Sequence, residues 1–237
     1  MMKKIFTLLA FVATITIGAQ TNNDLLKHYE AFYKQMKTQG DTQGVINALT
    51  HLNILSPNQA RLDTLALIYA NNNQHMTAMR TIGIETKDGD SDLAVQVRAL
   101  SLKALGQPKR SIEQFEIMFK RKPTPYIAYE LADLKIQSGD KAGASTNIEY
   151  GLANAKDDMK YGFFERQQPY EVPIKAAFLY LKGLVQYGGD VTNSQAALAT
   201  INEALALAPN FNLAALSRQA IETRQAEADK QATETKK

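Results

Sequence analysis

The chain has 237 residues, a formal net charge of +3 and no cysteine, so it holds neither a disulfide framework nor a lipid-attachment cysteine. Two of the excess charges are Lys3 and Lys4, which lie in a leader expected to be removed. The remaining charge is too small to point to nucleic acid or to an anionic membrane surface.

The chain opens with MMKKIFTLLAFVATITIGAQ. A short basic start, an apolar run from Ile5 to Ile17 and a small-residue end at Gly18 and Ala19 read as a secretory signal peptide over 1–19. The run is too short to span a bilayer comfortably. The mature protein is therefore expected in a bacterial periplasm or outside the cell, with no membrane span after cleavage.

The first helix is expected from Asp24 to Lys37, with Tyr29, Phe32, Tyr33 and Met36 inward. Gly40 turns the chain, Asp41 opens the second helix, and Pro57 stops it. Asn58–Asn71 and His75–Glu85 make a second pair around Asn73. A polar connector, Lys87–Asp92, follows, in which Ser91 or Asp92 caps the next helix. DGDSD at 88–92 lacks the spaced ligands and distal glutamate of a calcium loop.

Val95 to Pro123 is the clearest unit. Val95, Ala99 and Leu102 share one helical face before Gly106; Ser111, Phe115 and Met118 share one after it. Ala99 and Ser111 are small enough for the two backbones to approach closely. A fourth unit carries Ala128, Leu131 and Ala132, then Gly139, then Ala144, Ile148 and Gly151. The pattern breaks at 157–173, an insertion containing Tyr161, Phe163, Phe164 and Tyr170. It is read either as a lengthened helix packed on the repeats or as a partner-contacting surface. A fifth unit places Ala177, Tyr180, Leu181 and Leu184 before Gly188, and Ala197, Ile201 and Ala204 before the stop Pro209. Residues 210–228 predict a capping helix with Leu213, Leu216 and Ile221 inward; 229–237 predict a fraying tail.

Turn residues at 40, 73, 106 and 139 are evenly spaced by 33 residues. This spacing, the small residues at the helix crossings and the late prolines resemble the tetratricopeptide repeat family over 23–209. The resemblance implies an all-α solenoid of about five helix hairpins, units near 26–57, 59–88, 92–123, 125–156 and 174–209, closed by a capping helix. Arg98 and Lys135 stand where the family has apolar residues, Glu85 replaces a small one, and no unit has the family tryptophan.

The residues offer no catalytic centre. His28, His51 and His75 lie in different places with no acidic or cysteine partner at ligand spacing, and no phosphate loop, HExxH or GxSxG motif is present. No metal or cofactor is expected. The resemblance instead implies a non-enzymatic adaptor or scaffold that binds a protein or peptide. In the family the first helices line a concave groove, which on units four and five places Tyr126, Tyr129, Asp133, Lys175, Phe178 and Lys182 there. Aromatic rings would supply energy and charges orientation. The family's carboxylate clamp is largely absent, its positions being held by Glu30, Lys34, Thr64, Leu93 and Val97. The alternative is a structural component of an envelope assembly, contacting partners through its convex face, its ends or the insertion.

Overall fold

The structure, a computed structural model, describes residues 21–234. The expected signal peptide and residues 235–237 lie outside the described residues. The chain divides into two compact units, one ending at Gly83 and the other beginning at Ile84.

The first unit holds two helix hairpins: α1 (Asn22–Gln39) with α2 (Thr42–Leu55), and α3 (Gln59–Asn71) with α4 (His75–Ile82). Its core is Val45, Ile46, Leu49 and Leu65, onto which Tyr33, Met36, Ile68 and Tyr69 pack. The histidines His28 and His51 flank Tyr29, with His51 stacked on its ring at 4.3 Å.

The second unit continues with α5 (Asp92–Ala104), α6 (Pro108–Arg121), α7 (Pro125–Gln137) and α8 (Lys141–Asn154). A β-hairpin follows, β1 (Lys160–Phe163) and β2 (Tyr170–Pro173), then α9 (Ile174–Tyr187), α10 (Ser194–Leu207) and α11 (Asn212–Glu234). Within this unit each hairpin packs on the next in sequence order: α5 with α6, α6 with α7, α7 with α8, α8 with α9, and so on to α11. Among the described residues the architecture is thus all-α apart from one short two-stranded sheet.

The turns explain the repeat. Gly40, Asn73, Gly106, Gly139 and Gly188 all have left-handed backbones, with φ of 71°, 60°, 69°, 83° and 52°. In four of them the next N–H reaches back five residues: Asp41 to Met36, Gln74 to Tyr69, Gln107 to Leu102 and Asp140 to Lys135, at 2.8–3.0 Å. This closure satisfies helix-end carbonyls and needs a residue that tolerates positive φ, hence glycine or asparagine. The fifth turn runs instead through Gly189 and a 3₁₀ turn at Val191–Asn193. The stop prolines act as expected: α2, α6 and α10 each end two residues before Pro57, Pro123 and Pro209.

Close approach is visible in the central hairpin. Ser111 and Ala99 are fully buried, and the Ser111 hydroxyl donates to the Ala99 carbonyl at 2.8 Å. The charges that disagree with the repeat pattern are partnered. Arg98, wholly buried, meets Asp90 at 2.8 Å. Lys135 meets Glu116 at 3.0 Å and donates to Asn147. Glu85, exposed, lies 3.7 Å from Arg110.

Three expectations are corrected. The insertion at 157–173 does not lengthen a helix. It folds as an antiparallel hairpin pairing Lys160 with Pro173 and Phe163 with Tyr170, because aromatic and β-branched residues pack well as cross-strand neighbours. In α11 Ala214 and Ile221 are buried and Leu213 packs partly buried against the core as expected, while Leu216 is half exposed; the apolar stripe runs from Phe211, just before the helix, and bypasses Leu216. The helix also runs on to Glu234 rather than fraying from 229; its Ala, Glu, Gln and Lys residues are strong helix formers.

Two stability measurements follow. Removing Asp90 takes a close charge partner from a buried guanidinium, so Asp90→Ala is expected to lower the unfolding free energy by about 3–5 kcal/mol. Arg98→Met removes the charge itself and is expected to cost less; equal costs in urea titrations would contradict the pairing. A methyl group at Gly151 would run into the Phe178 ring. Gly151→Ala is therefore expected to cost about 1–3 kcal/mol, and less when combined with Phe178→Leu.

Candidate functional site

The hairpin determines the candidate site. It crosses the side of the second unit on which the first helices α5, α7 and α9 present their residues, and we call this the inner face. Phe163 is its anchor. The ring is buried, 4.8 Å from Phe211, 5.3 Å from Tyr161, 5.7 Å from Tyr170 and 6.3 Å from Tyr129, centroid to centroid. Tyr161 lies 4.0 Å from Tyr129. Such offset and edge contacts contribute beyond burial alone.

A cavity of about 300 Å³ remains between the hairpin and the helices. Lys103 of α5, Tyr129 and Asp133 of α7, Tyr180 of α9 and Leu213 of α11 line it, with hairpin residues Tyr161 to Glu165 opposite. Local sequence sets the α7 wall. Thr124 accepts from the Ile127 N–H, and Pro125 occupies the first helical turn, a position that suits proline. Tyr126, Tyr129, Glu130 and Asp133 then fall on one side at helical spacing.

The polar groups form a chain. Tyr161 donates its hydroxyl to Glu130 at 2.6 Å, and Lys103 donates to the other Glu130 oxygen at 2.6 Å. Lys103 also lies 3.8 Å from Asp133, which accepts from Gln137 at 2.9 Å. On the hairpin, Tyr170 donates to Glu165 at 2.5 Å and Asn212 does so at 3.4 Å.

Burial raises the Asp133 carboxyl above its ordinary range, because Lys103 and Gln137 only partly offset the lost hydration. Burial also raises Tyr161, with the Glu130 carboxylate adding to it. Tyr170 is pushed up to about 12, by burial first and then by Glu165. Burial alone would lift Glu165 as well, but the bonds from Tyr170, its own backbone and Asn212 leave it below the usual value.

The six expected groove residues separate. Tyr129 and Asp133 line the cavity, although Tyr129 is only 4% exposed and is packed in the core beneath the hairpin. Tyr126, 44% exposed, is open to solvent. Phe178 is completely buried, so it belongs to the core and not to an accessible groove. The missing side chain of Gly151 lets its ring sink between α8 and α7, and Tyr129 meets it at 5.7 Å. Lys182 is carried to a second cavity, lined by Ser145, Ile148 and Glu149 of α8. Lys175 pairs with exposed Asp157 at 2.7 Å, and that hydrogen bond holds the aspartate below its usual pKa. The α9 residue that reaches the inner face is Tyr180, two positions from Phe178 and so nearly opposite it on the helix.

Of the insertion residues, Tyr161 and Phe163 are packed inward, Tyr170 is half-buried and Phe164 is 79% exposed at the cavity. Sequence reasoning did not single out Lys103, Glu130, Glu165 or Leu213 for the site. They come together only through the hairpin's path, for which a single sequence carries no signal. Among the described residues, no group of three or more His, Cys, Asp or Glu side chains converges as metal ligands.

No protein-family profile and no curated protein matches the chain. Solved structures do. MamA protein aligns with a TM-score of 0.58 at 16% identity, covering 78% of this chain and 92% of its own. A tetratricopeptide repeat protein from Parabacteroides merdae ATCC 43184 aligns at 0.45 and 16% identity, over 93% of this chain and 78% of its own. PilF of Pseudomonas aeruginosa aligns at 0.37 and 13% identity, over 86% and 99%. At such identities likeness speaks to fold alone, and the MamA alignment agrees with what the helices display here. With five helix hairpins, four identically closed turns 33 residues apart and small residues at the crossings, the chain has the tetratricopeptide-repeat fold.

Proposed function

We propose that this protein is a non-enzymatic adaptor of the bacterial cell envelope that holds a protein partner on the inner face of its second unit. One observation carries the reading: Phe164, a large apolar side chain, stands 79% exposed beside the cavity, whereas the hairpin's other aromatic rings, Tyr161, Phe163 and Tyr170, are buried or partly buried. An ordered hairpin that turns one aromatic ring to solvent, with the half-exposed ring of Tyr126 one helical turn before Tyr129, fits a docking surface whose apolar anchors come from the protein. The envelope location rests on the leader-like sequence of 1–19. No helix among the described residues is long and apolar enough to cross a membrane.

A second reading has its own support. Ile54 and Leu207, on the second helices α2 and α10, are 72% and 51% exposed. A structural component of an envelope assembly would use such outward positions.

The two readings separate in a capture experiment from envelope extract. Phe164→Ala and Tyr126→Ala are expected to abolish recovery of the partner, while Ile54→Ser and Leu207→Ser leave it intact. The opposite pattern favours the assembly reading. All four positions are exposed, so the variants keep the fold. Fractionation that leaves the protein with the cytoplasm would contradict the envelope assignment.

A further inference from the structure

We propose that the inner-face cavity is a socket for one cationic side chain, a lysine or arginine projecting from the partner polypeptide. The inference rests on the inner-face docking reading and names its chemistry.

Charge is the first argument. Asp133 and Glu165 line the cavity, and Glu130 stands behind Lys103 and Tyr161. Lys103 is the cation among the lining residues, and its ammonium is already engaged by Glu130 at 2.6 Å. Three carboxylates stand against two cations, Lys103, already committed to Glu130, and Arg166, which acts on Glu165 from the hairpin loop; the balance stays negative, which repels an anionic group and attracts a cation. An uncharged apolar group would fare poorly too. It would strip the remaining water from Asp133 without replacing its interactions.

The second argument is the unfinished state of Asp133. Its nearest cation, Lys103, is 3.8 Å away, and Gln137 is a neutral donor. The side chain is nonetheless three-quarters buried, at 27% exposure. An incoming ammonium or guanidinium would complete its coordination, and the raised carboxyl described above fits a site that lacks this partner.

The walls supply the third. Tyr161 and Tyr180 flank the carboxylates, and Phe164 stands at the opening. Aromatic faces carry negative electrostatic potential and attract cations, arginine above all. The volume, about 300 Å³, lies at the small end for ligand sites. It suits a single long side chain rather than a folded segment. The exposed ring of Tyr126 extends the aromatic surface one turn further along α7, which suits a polypeptide better than a free amine.

The test uses four blocked alanine-rich pentapeptides with a central lysine, arginine, norleucine or glutamate, titrated into the isotopically labelled full-length chain. The lysine and arginine peptides are expected to shift the NMR signals of Asp133, Tyr161 and Phe164 saturably; the other two are not. Asp133→Asn and Glu165→Gln are each expected to weaken that binding by roughly fivefold to tenfold while circular dichroism and the thermal midpoint stay near those of the parent. Glu165 is exposed, so its variant keeps the test open should Asp133→Asn disturb the fold. Equal binding of the norleucine or glutamate peptide would overturn the socket, as would unchanged affinity in both variants or cationic peptides that leave the pocket signals still. If Phe164→Ala still abolishes partner capture in those cases, the socket alone is wrong and inner-face docking stands. If Phe164→Ala has no effect on capture, the docking reading fails with it.

Discussion

The seating of Phe163 is the contact on which the second unit's candidate site depends. One ring, held by Phe211 just ahead of the last helix, Tyr129 from α7 and Tyr170 from the opposite strand, pins a β-hairpin across helices that would otherwise present an open face. A two-stranded hairpin has little stability alone in water, so this packing is what keeps it ordered. Everything distinctive about the inner face follows. Tyr161 is brought to Glu130, Glu165 is carried to the rim, and Phe164 is left outside.

The repeat itself was legible, because its physics is local. A left-handed turn residue, two small residues at a helix crossing and a stop proline each announce themselves by type and spacing. The backbone at Gly40, Asn73, Gly106 and Gly139 bears this out with the same five-residue closure. Asn73 is instructive: the single non-glycine turn residue with positive φ among those described is of the type whose short polar side chain tolerates it. The apolar ladder was readable for the same reason, since Ala128, Leu131, Ala132, Ile148 and Ile201 are all buried where the helical period put them.

What escaped the sequence is long-range. Aromatic density marked 157–173 as unusual but gave no direction for its path, and the difference between a lengthened helix and a hairpin lies in partners 30 or more residues away, such as Glu130 for Tyr161. The family geometry placed Phe178 and Lys182 in the groove. The packing of Phe178 against Gly151 turned that side of α9 toward α8 and brought Tyr180 to the inner face instead. The buried Arg98 looked like a decayed repeat position; its partner, Asp90, sits in the preceding connector and could not be paired with it by period alone. Repeat spacing therefore yields the scaffold, while the candidate site is made by one insertion that the repeat does not encode.

The account stands on that hairpin being a fixed part of the inner face. Amide hydrogen exchange across 160–173 tests it most directly. Strand and anchor amides around Phe163 and Val172 are expected to exchange slowly, with protection approaching that of α7 and α9 beneath them. Exchange at the rate of an unstructured loop would mean that the hairpin does not hold the face, and the cavity described here would not exist as a site.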